Sequence, residues 1–388
     1  MLRPKEPSVE RRRFLQTAAA TAAVAAGTAA APGGPVHATP AHRPRPRNPH
    51  ITWTIFSRHL QWLTSQAYAQ EHPYETGVLI GEKAAELGYK AVNLTVRRTG
   101  HVDPSLVDVR TNLPAMLAGV RSTGTSCSFI TTDIVDDVTP VAERGGQPVY
   151  VADVLRVARD EGIDLYRWGG FAYQVQSGPD ATDPQPFGDE VLAQLDAFRR
   201  RVKGLARLNR RYGTTAAYHT HTTNGTNARS VWDLMYILRD ADPDELGINL
   251  DIGHMTNEGT LTAWRTNVRY AMSHIRSVGL KDTLVERTPS GTVRSVWKPA
   301  GTGMVQWREF FQLLLEGGFA GPGETHYEYD VVGLNGQTAV LNTTFWADHA
   351  QFASGNLTPA FMTEELKKDL VTYRTHAAAA GWRADQLT

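Results

Sequence analysis

Residues 246–252, LGINLDI, and residues 275–282, IRSVGLKD, alternate apolar side chains with polar or small ones. In the first segment, Leu250 and its flanking isoleucines fall on one side, whereas Asn249 and Asp251 fall on the other. In a closed barrel of parallel strands, successive side chains point alternately to the interior and to the surrounding helices. The alternation therefore predicts two strands that bury an apolar face under helices and direct polar side chains inward.

Further β-rich runs lie on either side of these two, separated by amphipathic helical patterns. We predict eight strands in all, near residues 51–57, 91–97, 126–134, 164–169, 214–221, 246–252, 275–282 and 324–329. Strict alternation of strand and helix is typical of parallel α/β proteins, and eight units fit a closed (β/α)8 TIM barrel. The alternative is an open doubly wound sheet. No glycine-rich phosphate-binding motif follows the first strand, so we favour the barrel and expect no nucleotide cofactor.

The first fifty residues differ in composition from the rest of the chain. Residues 8–16, SVERRRFLQ, place adjacent arginines before Phe-Leu, and an Ala/Thr-rich stretch follows. This order is typical of a twin-arginine export signal, and the alternative is an amphipathic or disordered tail. We predict a signal peptide over residues 1–38, a Pro/Arg-rich linker over residues 39–50, and a barrel with a C-terminal loop and helix over residues 51–388. The expected location is then periplasmic or extracellular, with the Tat export machinery as the partner of the precursor.

The composition excludes several classes of protein. Lys plus Arg and Asp plus Glu both number 40, which gives a formal net charge of +0. A nucleic-acid-binding protein would normally carry a basic excess, so no nucleic-acid partner is expected. The single cysteine, Cys127, excludes an intrachain disulfide and a cysteine-cluster metal site. The sequence leaves the oligomeric state undecided.

Ionisable side chains concentrate at the predicted C-terminal ends of the last four strands. They are His219, His221, Asp251, His254, Lys281, His326 and Glu328. Barrel enzymes place their chemistry at this end of the strands. Imidazole and carboxylate groups that converge there suit Mn²⁺, Zn²⁺, Co²⁺ or Fe²⁺, and they could equally act as general acids and bases.

Several motifs resemble those of the xylose-isomerase-like barrels, a superfamily of sugar isomerases and epimerases. The sixth strand ends in Asp251-Ile252-Gly253-His254, the seventh in Lys281-Asp282, and the HYEYD segment contributes Glu328. Residues 56–63, FSRHLQWL, and residues 93–104, NLTVRRTGHVDP, are similar to an exported bacterial subgroup. The resemblance covers roughly residues 51–330 and implies the same barrel fold.

Two positions depart from the metal ligands that the resemblance implies, which are Glu, Asp, His and Glu on the last four strands. His219 stands where the first Glu is expected, and Gly279 stands where the His is expected. Only Asp251 and Glu328 persist. The resemblance thus leaves two possibilities open, a metal site rebuilt from His219, His221, Asp251 and Glu328, or a site that has lost its metal.

The resemblance implies proton transfer on a sugar carbon next to a carbonyl, with a small carbohydrate as substrate. Glu328 would act as base, Lys281 would stabilise negative charge, and His221 would take part in the proton transfer. The predicted substrate-binding residues are His59, Arg97, His101, Trp168 and His254. Simpler roles compete with these, since Asp251 could cap a helix and Trp168 could belong to the core. The alternative functions are a lyase acting on oxidised (keto) glycosides and a non-enzymatic carbohydrate-binding barrel.

Overall fold

The computed structural model describes residues 48–173, 188–221, 228–341 and 345–388, except for the side chains of residues 259–261. The predicted signal peptide and residues 39–47 of the predicted linker lie outside the described residues. No helix in the described part of the chain combines the length and apolarity that a membrane span requires.

Eight parallel strands close into one barrel, in which each strand pairs with its neighbours along the chain and the first pairs with the eighth. The first to eighth barrel strands are His50–Phe56, Ala91–Val96, Ser126–Thr132, Leu165–Trp168, Thr215–His219, Leu246–Asp251, Ile275–Leu280 and Ala320–Thr325. The predicted (β/α)8 TIM barrel is confirmed.

The eighth strand differs from the prediction. It runs over Ala320–Thr325 rather than residues 324–329, because the AGPG run pairs in register with the first strand. These residues have low β-propensity, but the pairing partners on both sides impose the extended conformation. His326 therefore lies one residue beyond the strand, and Glu328 lies three residues beyond it.

Helices surround the barrel and bury their apolar faces against it. They are Gln66–Glu71, Pro73–Glu86, Val109–Ser122, Val151–Asp160, Asp189–Tyr212, Val231–Leu238, Ile252–Ala271, Trp307–Glu316, Ala350–Ala353 and Pro359–Ala379. Short 3-10 helices span Ser57–Leu63, Met272–His274 and Ala384–Gln386. Among the described residues, three two-stranded hairpins project from the loops, formed by Ala142–Arg144 with Gln147–Val149, Asp282–Arg287 with Val293–Lys298, and Asp330–Val332 with Thr338–Val340.

Polar side chains fill much of the barrel interior, as the alternation predicted. The Asn93 amide donates hydrogen bonds to Thr131, at 2.7 Å, and to Glu324. The Asn249 amide lies 2.6 Å from the Ser277 hydroxyl and donates to it. All five side chains are buried. A buried polar network of this kind fixes the direction of each side chain, because any member that turned away would leave its partner unpaired.

The C-terminal segment closes the structure at both ends of the barrel. At the bottom, the backbone of Thr388 exchanges hydrogen bonds with the first strand, at 2.7 Å to Trp53 and 3.0 Å to Ile51. At the top, Ala347 donates to the Thr64 carbonyl at 2.8 Å. The described part of the C-terminal loop thus packs beside the end of the first strand.

Candidate active site at the C-terminal mouth of the barrel

Three buried side chains converge at the top of the barrel. His219 ends the fifth strand, Asp251 ends the sixth, and His326 follows the eighth. One ligand atom from each lies within 4.8 Å of the others. Asp251 Oδ2 is 3.5 Å from His326 Nδ1 and 3.9 Å from His219 Nε2. We refer to these three residues as the His–Asp–His cluster.

Hydrogen bonds on the side away from the cluster orient the imidazoles of His219 and His326. His219 Nδ1 lies 2.6 Å from Asn249 Oδ1, and the Asn249 amide nitrogen is committed to Ser277. Nδ1 of His219 therefore carries the proton, and Nε2 presents a lone pair to the cluster. His326 Nε2 donates to Glu324 Oε2 at 2.8 Å, which leaves its Nδ1 lone pair facing the cluster. Such carboxylate or amide partners are typical of histidines that bind metals.

The cluster fits a divalent cation. Asp251 Oδ2 and His326 Nδ1 are both buried and neither has a hydrogen-bond partner. These two electron-rich atoms, 3.5 Å apart, repel one another. The Lys281 ammonium lies 3.4 Å from Asp251 Oδ2, and a divalent ion between the two atoms would supply a second positive charge. Burial and the charge of Arg167 hold the pKa of His219 well below its usual range, so this imidazole is neutral and able to bind a metal. Two imidazoles and one carboxylate are the donors that transition-metal ions prefer.

The cluster overlaps only partly with the predicted metal ligands. His219 and Asp251 belong to it, whereas His221 and Glu328 do not, and His326 is present instead. The reason is the register of the eighth strand, which places His326 rather than Glu328 directly above the barrel. A metal-binding role for His221 or Glu328 stays a prediction.

The sequence left open whether Asp251 caps a helix or belongs to the site, and its two carboxylate oxygens do both. Its Oδ1 accepts a hydrogen bond from the backbone N–H of His254 at 3.1 Å and caps the helix Ile252–Ala271, while Oδ2 faces the cluster. In the Asp251-Ile252-Gly253-His254 motif, the third position has no room for a side chain. A Cβ at this position would lie 2.7 Å from Lys281 Cγ and 2.9 Å from the Lys281 carbonyl oxygen. The glycine thus lets the helix start pass closely against Lys281.

An ion pair borders the cluster. Lys281 Nζ donates to Glu328 Oε2 at 2.7 Å and lies 3.0 Å from His254 Nε2. Burial raises the pKa of Glu328, but the charge of Lys281 and its hydrogen bond act in the opposite direction, and the pKa lies well below the usual range. Burial and Lys281 together lower the pKa of His254. At neutral pH, Glu328 is therefore a carboxylate and His254 is a neutral acceptor for Lys281.

His221 lies on the outer side of this arrangement. Its ring centroid is 4.1 Å from that of His254 and 5.9 Å from that of His219. Burial, Lys281 and Arg229 lower the pKa of His221 to about 4. The imidazole is half-buried and neutral at pH 7, so it can accept a proton from a bound molecule.

Two predicted substrate-binding residues lie in different surroundings. The guanidinium of Arg97 lies 5.8 Å from the centre of the Phe56 ring at the mouth. Burial and the charge of Arg167 lower its pKa to about 10, so it stays charged at pH 7. Trp168 is 1% exposed and packs on Tyr218 with ring centroids 4.4 Å apart. This packing leaves no face of Trp168 open to a sugar, and its binding role stays a prediction.

His59 and His101 are also buried and make internal hydrogen bonds. His59 Nε2 accepts from the backbone N–H of Tyr327 at 3.0 Å, which ties the 3-10 helix after the first strand to the segment after the eighth. His101 Nδ1 lies 3.0 Å from Thr95 Oγ1, and its ring packs against Trp346. Both side chains position the loops around the mouth, and direct contact with a substrate stays a prediction.

The structure adds residues that the sequence did not single out. Arg167, in the fourth strand, lies 3.8 Å from Glu324 and over the Phe56 ring at 5.2 Å. Its inward position follows the period of two along that strand, which is the signal that would have found it. Trp297 comes from the hairpin Asp282–Lys298, and its ring centre lies 3.9 Å from Lys281 Nζ. Only the pairing of that hairpin brings it to the site.

The fold agrees with the comparisons to known proteins. A family model that describes xylose isomerase-like TIM barrels matches residues 82–340. The chain therefore belongs to the family of xylose isomerase-like TIM barrels. No curated protein sequence matches the chain significantly.

Solved structures share the fold at low sequence identity. A xylose isomerase-like TIM barrel protein from Mycobacterium smegmatis, in complex with magnesium, is 15% identical with a TM-score of 0.53, covering 86% of this chain and 98% of that one. D-psicose 3-epimerase with D-tagatose, from Clostridium cellulolyticum H10, is 13% identical with a TM-score of 0.52, covering 84% and 99%. The 3-keto-D-glucoside 4-epimerase from E. coli, in its apo form, is 13% identical with a TM-score of 0.53, covering 84% and 99%.

Proposed function

We propose that this protein is a sugar isomerase or epimerase that transfers a proton on a carbon next to a carbonyl, with a divalent metal held by His219, Asp251 and His326. One observation carries the proposal. The facing acceptor atoms of Asp251 and His326 have no hydrogen-bond partner, and the ionised carboxylate of Glu328 lies beside them, with Oε1 3.8 Å from His326 Nδ1.

Each residue at the mouth has a chemical task in this reaction. A divalent ion, when bound, would act as a Lewis acid toward neighbouring oxygens of the sugar. Glu328 takes the proton from carbon, because its carboxylate is ionised and its Oε2 is held in place by Lys281 at 2.7 Å. Lys281 stabilises the negative charge that develops on the sugar oxygen. His221, neutral and half-buried, exchanges protons on the outer side of the site.

The fate of the proton decides the type of reaction. Its return to the neighbouring carbon gives isomerisation, and its return to the opposite face of the same carbon gives epimerisation. Loss of a leaving group on the next carbon gives the lyase reaction. Two structures that share this fold belong to proteins named as epimerases, which supports the first two outcomes.

Deuterium exchange tests the proposal. The purified protein, loaded with Mn²⁺, would be incubated in D2O with ketoses and keto-glycosides, and products would be followed by NMR. We expect deuterium on a carbon next to the carbonyl, at a rate that falls about 100-fold or more in Glu328→Gln. Glu364→Gln, at a largely exposed surface carboxylate, is the matched control. Sugar binding without any exchange would instead indicate a carbohydrate-binding barrel.

A further inference from the structure

Five cationic side chains gather at the mouth of the barrel. They are Arg58, Arg97, Arg167, Arg229 and Lys281. Arg58, Arg97 and Lys281 follow the first, second and seventh strands within two residues. Arg167 is the last but one residue of the fourth strand, and Arg229 comes ten residues after the fifth. Their concentration at one end of a chain with no net charge calls for a reason.

Three of these cations lie beside carboxylates. Lys281 is 2.7 Å from Glu328, and the same carboxylate attracts Arg58. Arg97 is attracted by Asp133. For these three, the pairing of charges within the protein offsets much of the cost of burying them.

Arg167 and Arg229 are less well matched. The nearest carboxylate to Arg167 is Glu324, 3.8 Å away, and its oxygens already accept hydrogen bonds from His326 and Asn93. No ion pair joins Arg229 to a carboxylate within the described ranges, where its electrostatic neighbours are Tyr218 and Arg167 itself. Arg167 Nη1 and Arg229 Nε are both buried and have no hydrogen-bond partner.

The two guanidinium groups lie near one another at the end of the fourth strand. A Cβ on Gly170, three residues after Arg167, would lie 2.4 Å from Arg229 Nε and 2.3 Å from the Tyr218 hydroxyl. Only a residue without a side chain leaves room for Arg229 there. Burial lowers the pKa of Arg229, and the charge of Arg167 lowers it further, while Tyr218 acts in the opposite direction. The pair is thus held together against its mutual repulsion.

An anion between the guanidinium groups of Arg167 and Arg229 would offset their mutual repulsion. Guanidinium groups bind carboxylate and phosphate through paired, charge-assisted hydrogen bonds, and the free N–H groups of Arg167 and Arg229 are the donors such a ligand needs. Arg167 also lies 3.8 Å from Glu324, the carboxylate that accepts the hydrogen bond of His326 at 2.8 Å, so the arginine pair adjoins the His–Asp–His cluster. One sugar can therefore reach both places.

We propose that Arg167 and Arg229 bind the acidic group of an anionic sugar, either a carboxylate or a phosphate, while the carbonyl end of the same molecule lies at the His–Asp–His cluster. The inference rests on the proposed function, because it names the class of substrate for that same site. Neutral sugars are poor ligands for the site, since they leave the arginine pair without a counter-charge.

Calorimetric titration with three sugars of one carbon skeleton tests the inference. The ligands are D-fructose, D-fructuronate and D-fructose 6-phosphate, titrated into the metal-loaded protein. We expect at least one anionic sugar to bind about 100-fold more tightly than the neutral sugar, because two charge-assisted contacts are gained. Arg229→Gln is expected to reduce that preference about 10-fold or more. Arg383→Gln, at an exposed arginine paired with Asp385, is the matched control and should leave the preference intact.

The arms of the titration separate the possible sources of the charge. Preference for the uronate alone indicates a sugar acid, and preference for the phosphate alone indicates a sugar phosphate. Equal affinity for all three sugars, or a preference that survives Arg229→Gln unchanged, would overturn the inference. Arg229→Lys keeps the charge without the paired donors, and thermal unfolding of each variant shows whether it is folded.

Deuterium exchange on the same samples separates this inference from the proposed function. Tight, arginine-dependent binding of an anionic sugar without exchange would refute the proposed reaction and leave anion recognition standing. Exchange with D-fructose at the same efficiency as with the anionic sugars would support the reaction and overturn the inference.

Discussion

Glu324→Gln perturbs the candidate metal site without removing any residue of the His–Asp–His cluster. Glu324 is buried and accepts hydrogen bonds on both oxygens, from His326 Nε2 at 2.8 Å and from the Asn93 amide. Glutamine has nearly the same shape but offers only one acceptor oxygen. If its amide nitrogen faces His326, the imidazole proton moves to Nδ1 and removes the lone pair that faces Asp251.

The opposite orientation is also unfavourable. It points the new amide nitrogen at the Asn93 amide nitrogen, so that two buried donors meet and one is left unpaired, which costs about 1–3 kcal/mol. Loss of a partner behind a metal-binding histidine lowers metal affinity by about 10- to 100-fold. That range corresponds to about 1.4–2.8 kcal/mol of binding free energy.

Competition of Zn²⁺ or Co²⁺ against a chromophoric chelator measures the effect. Glu324→Gln is expected to raise the dissociation constant about 10- to 100-fold, while circular dichroism shows an unchanged fold. Glu286→Gln, on the hairpin Asp282–Lys298 and away from the barrel interior, is the control and should bind as the wild type does. Wild-type affinity in Glu324→Gln would refute the claim that this carboxylate sets the protonation of His326.

Three further predictions concern stability, the motif glycine and export. Burial raises the pKa of Asp369 to about 7 from an ordinary value of 3.8. Between these two pH values, the folded state holds a proton that the unfolded state releases, so the free energy of unfolding falls as pH rises from about 4 through 7. Asp369→Asn should therefore stabilise the protein at pH 8 by up to about 4 kcal/mol and much less at pH 4, as urea unfolding at both pH values would show. Gly253→Ala places a Cβ 2.7 Å from Lys281 Cγ and should slow deuterium exchange at least about tenfold in a folded protein; wild-type rates would contradict the packing argument. The double variant Arg11→Lys, Arg12→Lys should keep the precursor in the cytoplasm, and unchanged export in cell fractionation would rule out the twin-arginine signal.

The barrel was predictable because its alternation is strong and local. Leu250 faces the helices and Asn249 faces the interior, as a period of two requires. The eighth strand was placed four residues too late, because the AGPG run lacks β-branched residues while HYEYD resembles a strand. Hydrogen bonding to the first and seventh strands decides this register, and that pairing is not visible in the segment itself.

The site was predictable in its location and in part of its membership. His219 and Asp251 stood at strand ends, where convergence follows from the barrel geometry. The protonation of the histidines could not be predicted, because it depends on Asn249 and Glu324 reaching them across neighbouring strands. Arg229 escaped notice because it lies ten residues beyond the end of the fifth strand, and the sequence does not show that its side chain approaches Gly170, after the fourth strand.

Anomalous diffraction from crystals of the metal-loaded protein tests the central claim most directly. Data collected on both sides of the Zn or Mn absorption edge locate the ion without any assumption about its ligands. We predict a peak at about 2.0–2.2 Å from His219 Nε2, Asp251 Oδ2 and His326 Nδ1. A metal held elsewhere, or no metal at all after incubation with these ions, would contradict the assignment of the His–Asp–His cluster as the metal site of the proposed reaction.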